Sequence, residues 1–182
     1  HVGAVALHAY SPWWFDELRH GDTPLAVDAI SDGEWWRLLV SCPGYCDAAG
    51  NNTAFSDAEV KLYDQLDYKL AITEWNWYGF IRDNKAPAFD LSPVMMLGAG
   101  NFLNGMLRRS NRIIMGCQSM LMGNEWDITG LRVDPENKRP LFHYPQFATT
   151  MAYARHCGRH LLDARVTGVE GYEQPYRTGN MM

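Results

Sequence analysis

No block of lysine or arginine occurs in this sequence. Its 16 Lys and Arg are outnumbered by 21 Asp and Glu, for a formal net charge of -5. A nucleic-acid groove needs clustered positive charge, so nucleic acid is not expected as a partner. No apolar run approaches the ~20 residues needed to cross a bilayer, so no membrane partner is expected either. The first residues carry neither a basic region nor a long apolar core. No signal peptide is therefore expected in this stretch, and an intracellular setting is slightly favoured. The chain enters a strand-like run within a few residues of His1, without a leading Met, as a piece of a longer protein would. Cysteine is scarce: Cys42, Cys46, Cys117 and Cys157 match no zinc-ligand spacing. Cys42 and Cys46 flank Pro43-Gly44 and can either form a local disulfide or stay as free thiols. There is no internal repeat and no low-complexity segment.

What is present is apolar and aromatic. Hydrophobic residues make up 47% of the 182, enough for one sizeable core. Seven Trp, nine Tyr and seven Phe can pack that core or stack on sugar rings. The most telling stretch is Lys69 to Tyr78. Leu70 to Thr73 form a short, mostly apolar run, as expected of a buried parallel strand. Glu74 ends that run, flanked by Trp75, Trp77 and Tyr78. In α/β folds, groups at the C-terminal ends of parallel strands form the site. Glu74 is thus a candidate nucleophile or general acid for sugar chemistry.

The remaining pattern alternates strands and helices. Val2–Tyr10 reads as a first strand, Ser11–Thr23 as a loop, and Pro24–Val40 as helical with Leu25, Ile30, Trp35, Leu38 and Leu39 inward. Residues 42–53 are turn-rich, and Asp57–Leu66 predicts a short helix. Gly79–Leu91 reads as a loop. Ser92-Pro93 opens the clearest helix, a cap residue followed by proline at the first helical position. Its apolar face is expected to include Leu97, Phe102, Leu103 and Met106. Ile113–Met122 is a third apolar run, 124–139 a polar loop, and Pro145–Cys157 a second proline-led helix. Short strands are expected after Leu161. Strand-helix repetition predicts parallel strands joined by crossovers. Three such units are too few to close a barrel, which needs eight.

His8 and Tyr10 lie two apart on the first strand and so share a face. Either can reach the pocket of Glu74. A tyrosine hydroxyl donating to the carboxylate would keep it ionised and oriented. Gln118, on the third run, can contact a sugar hydroxyl. Glu125 is read as a loop residue near the site mouth.

These segments together resemble the C-terminal part of family 51 α-L-arabinofuranosidases. His8-Ala9-Tyr10 is similar to that family's His-x-Tyr at the end of the sixth barrel strand. Thr73-Glu74-Trp75-Asn76-Trp77-Tyr78 resembles its strand-seven segment, Asp-Glu-Trp-Asn-Val-Trp-Tyr, whose glutamate is the nucleophile. Asn104–Met115 is similar to the helix leading into strand eight, and Phe142–Gly158 to the last barrel helix. The resemblance covers about residues 1–165. It implies an α/β fold: the portion of a (β/α)8 TIM barrel holding about strands six to eight over residues 1–160, with residues 161–182 beginning a β-sandwich. It implies a retaining hydrolase that releases α-L-arabinofuranosyl groups from arabinan- or arabinoxylan-type saccharides. Glu74 would be the nucleophile, with His8, Tyr10, Trp75, Asn76 and Gln118 as substrate contacts. No metal and no organic cofactor is implied, and a homo-oligomer is allowed for the full-length protein.

Thr73 stands where the family usually has Asp. The family's strand-eight glutamine aligns to Met120, two residues from Gln118. Strands one to five, including the Asn-Glu acid/base of strand four, lie outside this sequence. A competing reading is a non-catalytic carbohydrate-binding or interaction module that stacks sugars on Trp13, Trp14, Trp75 and Trp77.

Overall fold

A computed structural model describes residues 3–10, 14–15, 17–26, 29–41, 68–77, 80–81, 93–124, 129–162, 167–168 and 175–179. The fold is mixed α/β. Its centre is a parallel sheet of β1 (Ala4–Tyr10), β5 (Lys69–Asn76) and β7 (Ile113–Gln118), in the order β1-β5-β7. Each is a short apolar run, as a strand covered by helices requires. Among the described residues the sheet is open, with β1 and β7 at its edges and no closed barrel.

Helix α1 (Asp32–Ser41) lies between β1 and β5 in the chain, and α2 (Pro93–Arg108) between β5 and β7. Glu34 N–H donates to Ser31 Oγ at 3.3 Å, which caps α1 eight residues later than the sequence pattern suggested. Asp32 and Glu34 occupy its first turn, where a helix favours negative charge. Trp35, Leu38 and Leu39 are buried at helical spacing, and Leu25 and Ile30 pack against the same core from outside the helix. The inward residues were therefore legible in the sequence although the helix start was not.

Helix α2 buries Val94, Met95, Gly98, Ala99, Phe102, Gly105 and Met106. Leu97, expected inward, is exposed. Gly98 has a steric reason. A Cβ there would sit 2.0 Å from the Trp77 indole, so only glycine admits the ring against the helix. Helix α3 (Pro145–His156) packs on α2: Thr149 Oγ1 donates to the Met96 carbonyl at 3.1 Å, and Tyr153 Oη to Asn104 Oδ1 at 2.8 Å. Cys157 N–H donates back to the Tyr153 carbonyl at 2.8 Å and ends the helix.

Three stretches read as loops contain strands, Gly79–Leu91 among them with β6 (Phe80–Ile81). Residues 11–23 include β2 (Trp14–Phe15), β3 (Glu17–His20) and the start of β4 (Thr23–Leu25); β2 pairs in parallel with β6 (Phe80–Ile81). Residues 124–139 include β9 (Leu131–Val133), which pairs with β8 (Met122–Gly123) and β10 (Pro140–His143). These strands are two to four residues long, too short to produce a readable alternation. The terminal strand β11 (Tyr176–Gly179) pairs antiparallel with β3, far away in the chain. The helix expected over Asp57–Leu66, the turn at Cys42–Cys46, Ser92 and Glu125 lie outside the described residues. Cys117 and Cys157 are free and exposed.

Candidate active site

The site is built on the C-terminal ends of the three parallel strands. Its position depends on an irregularity in β5. Between β1 and β5 the register runs Leu7↔Ile72 and then His8↔Glu74. Between β5 and β7 it runs Ile72↔Gly116 and then Trp75↔Gln118. Against both neighbours β5 holds one extra residue, at Thr73–Glu74. Such a bulge re-aims the side chain beside it, and bulges collect next to active sites. The Thr73 hydroxyl donates to the Leu7 carbonyl at 3.3 Å, which ties the bulge to β1.

Past the bulge, Glu74 pairs with His8 across the strands. Tyr10 Oη donates to Glu74 Oε2 at 2.7 Å. His8 Nδ1 lies 3.4 Å from the same oxygen. The two contacts differ in weight. The phenol bond is short and partly buried, whereas the His8 and Glu74 side chains are 58% and 42% exposed. An ion pair between groups that open to water contributes little. Tyr10 is therefore the group that orients Glu74.

Burial pushes the Tyr10 phenol up from 10.0 to about 12; the neighbouring Glu74 carboxylate adds to the rise, and a hydrogen bond with the Ser119 side chain opposes it. The phenol thus keeps its proton, and its bond to Glu74, throughout the neutral range. Because the folded value lies above the unfolded one, the folded state retains a proton that the unfolded chain has lost. This contribution to stability is complete below pH 10 and is lost as pH rises toward 12. In an alkaline titration followed by tyrosinate absorbance, Tyr10→Phe is expected to remove one step ionising near pH 12 and leave the others in place.

Three residues expected beside Glu74 lie elsewhere or act otherwise. Trp75 is not a sugar platform. Adjacent strand residues point to opposite faces, and Trp75 is 1% exposed with its ring 5.4 Å from that of Phe102 on α2. Gln118 pairs in register with Trp75, which places it on the helix-facing side, away from Glu74. Its carboxamide is buried without a hydrogen-bond partner among the described residues. Asn76 returns to the Glu74 face by alternation but is fully buried, and its Nδ2 donates to the Ser119 carbonyl at 2.9 Å. It therefore braces the strand end. Met120 is not on the strand: it occupies the following turn with φ 52, a backbone region uncommon outside glycine. Trp77 is 2% exposed, and its Nε1 donates to the Leu39 carbonyl at 3.0 Å.

Ser119 carried no signal in the sequence, being one serine after a strand. Its N–H donates to the Trp75 carbonyl at 2.9 Å, and its carbonyl accepts from Asn76 Nδ2 at 2.9 Å. No group of three or more His, Cys, Asp or Glu suited to a metal occurs among the described residues. Likewise, no helix among them is long and apolar enough to cross a membrane.

No protein-family model, curated protein or solved structure matches this chain.

Proposed function

We propose that this chain is the C-terminal portion, about strands six to eight, of the (β/α)8 barrel of a retaining α-L-arabinofuranosidase, with Glu74 as its nucleophile. The observation that carries the reading is the convergence of His8, Tyr10 and Glu74 at adjacent C-terminal strand ends, with the Tyr10 phenol 2.7 Å from the carboxylate. Parallel-sheet enzymes place their chemistry at those ends. The strand order β1-β5-β7 agrees with three consecutive barrel strands. The edge strand β7 leaves Ile114 60% and Met115 44% exposed, which fits a sheet that continues into further chain.

In this reading both contacts to Glu74 fall on Oε2, and Oε1 attacks the anomeric carbon. The C–O bond to the leaving group breaks, and its oxygen takes the electron pair and a proton from a second carboxyl ~5–5.5 Å from the first. Water then releases arabinose from the glycosyl-enzyme. The Tyr10 hydrogen bond favours the ionised form that attack requires. The second carboxyl belongs to sequence upstream of these residues, and the substrate is an arabinose-containing oligo- or polysaccharide. The competing binding-module reading loses support, because Trp75 and Trp77, two of its four stacking aromatics, are core residues.

The deciding experiment uses a dinitrophenyl arabinofuranoside fluorinated next to the anomeric carbon. Dinitrophenolate leaves without a proton, so labelling needs the nucleophile alone. The full-length protein is expected to gain one glycosyl group, mapped by peptide mass spectrometry to Glu74. Labelling elsewhere, or none, would overturn the reading. The 182 residues alone are expected to unfold without cooperativity and to release no p-nitrophenol from an unfluorinated arabinofuranoside.

A further inference from the structure

We propose that Thr73 is a positioning residue for Glu74: its hydroxyl, bonded to β1, fixes the extra residue of β5 and so aims the carboxylate. This rests on the reading of Glu74 as nucleophile. Strand residues alternate between faces. Ile72 pairs with Gly116 and Trp75 with Gln118, and Ile72 and Trp75 are 0% and 1% exposed. A Cβ on Gly116 would lie 2.5 Å from Met106 Sδ of α2 and 3.7 Å from Trp75 Nε1, so this is the helix-facing side. Ile72 and Trp75 are three residues apart. Unbroken alternation would put them on opposite faces and send Glu74 under α2 with Ile72. One extra residue keeps both on the helix side and turns Glu74 to the face of His8 and Tyr10.

Burial of these two large side chains favours an extra residue here but does not fix its geometry. A bulge leaves its extra residue out of the ladder, so the strand loses there part of the support that aims its side chains. The Thr73 side chain replaces that support. Its hydroxyl donates to the Leu7 carbonyl at 3.3 Å. Leu7 is the residue after which the register of β1 and β5 shifts, and the next pair is His8↔Glu74. The bond therefore anchors β5 one residue before the carboxylate, on the strand that carries Tyr10. Valine at this position would keep the shape of the side chain and lose the donor.

The test compares Thr73→Val, Thr73→Ala and Thr73→Ser in the full-length protein. Two signals are read: the Tyr10 ring-carbon resonance in tyrosine-labelled protein, assigned by its loss in Tyr10→Phe, and the rate of labelling by the fluorinated dinitrophenyl arabinoside. Thr73→Val and Thr73→Ala both remove the hydroxyl. Each is expected to move the Tyr10 resonance, because the phenol donates to Glu74. Each should also slow labelling about fivefold at saturation, the scale of one hydrogen bond, with half-saturation unchanged. Thr73→Ser keeps the hydroxyl and should match the parent in both signals. Where valine prevents folding, the alanine and serine variants make the same comparison. An unmoved Tyr10 resonance without the hydroxyl, an unchanged labelling rate, or a loss shared by Thr73→Ser would overturn the proposal. If the parent protein is never labelled, the glycosidase reading fails by itself, and the resonance still decides whether Thr73 aims Glu74.

Discussion

Glu74→Gln is expected to lower turnover of an aryl arabinofuranoside by the full-length protein roughly 10⁴-fold or more, the scale for removing a group that acts as covalent nucleophile. At ~1.36 kcal/mol per tenfold, this is ~5 kcal/mol of lost transition-state stabilisation. The substitution keeps the size of the side chain. It also keeps an acceptor for the Tyr10 hydroxyl, which now donates to Glu74 Oε2 at 2.7 Å. The fold should therefore survive, and saccharide binding should change little. Steady-state kinetics and calorimetric binding of an arabino-oligosaccharide read the two properties separately. Unchanged turnover would remove Glu74 from the mechanism, and loss of binding with unchanged turnover of activated substrates would make it a binding group.

The second large effect is on stability. Gly98→Ala is expected to destabilise the fold by about 2–4 kcal/mol despite alanine's advantage of ~1 kcal/mol inside a helix. The reason is distance. The new Cβ would meet Trp77 Cδ1 at 2.0 Å and Nε1 at 2.1 Å, far inside contact. The indole is 2% exposed and cannot swing into open space. It would have to withdraw from α2 and break its 3.0 Å bond to the Leu39 carbonyl. Overpacking of a core costs ~1–3 kcal/mol, and a buried donor left without its partner another ~1–3 kcal/mol. Together these outweigh the gain in helix propensity. Denaturant unfolding of the full-length protein, followed by tryptophan fluorescence, measures the difference. A stabilised variant would mean that Trp77 does not pack on Gly98 as described.

Much of the central sheet was legible because its determinants are local. Ala4–Tyr10 and Lys69–Asn76 are apolar runs with few alternatives to a buried strand, and Pro93 and Pro145 mark helix starts through chemistry that acts at one residue. His8 and Tyr10 share a face by strand geometry alone, which is why their meeting with Glu74 was foreseeable. The short strands β2, β3, β4 and β9 were not. At two to four residues they carry no period: β2 forms only against β6 from a distant part of the chain, whereas β3 with β4, and β9 with β8 and β10, pair with strands close by.

The same division runs through the site. The sequence by itself determined that a carboxylate ends a buried strand and that a His-x-Tyr ends another, because apolar patterning and strand period are properties of neighbouring residues. Tertiary structure decided which way those side chains face. The extra residue at Thr73–Glu74 exists only relative to β1 and β7, so no pattern within Lys69–Asn76 reveals it. In a period-two element one inserted residue exchanges the faces beyond it. It leaves Glu74 with Tyr10 and sends Trp75 to the helix side, where it meets Gln118 of β7 in register. Ser119 enters the site for the same reason: its partners are fixed by the meeting of three strand ends, which the order of residues along the chain does not record.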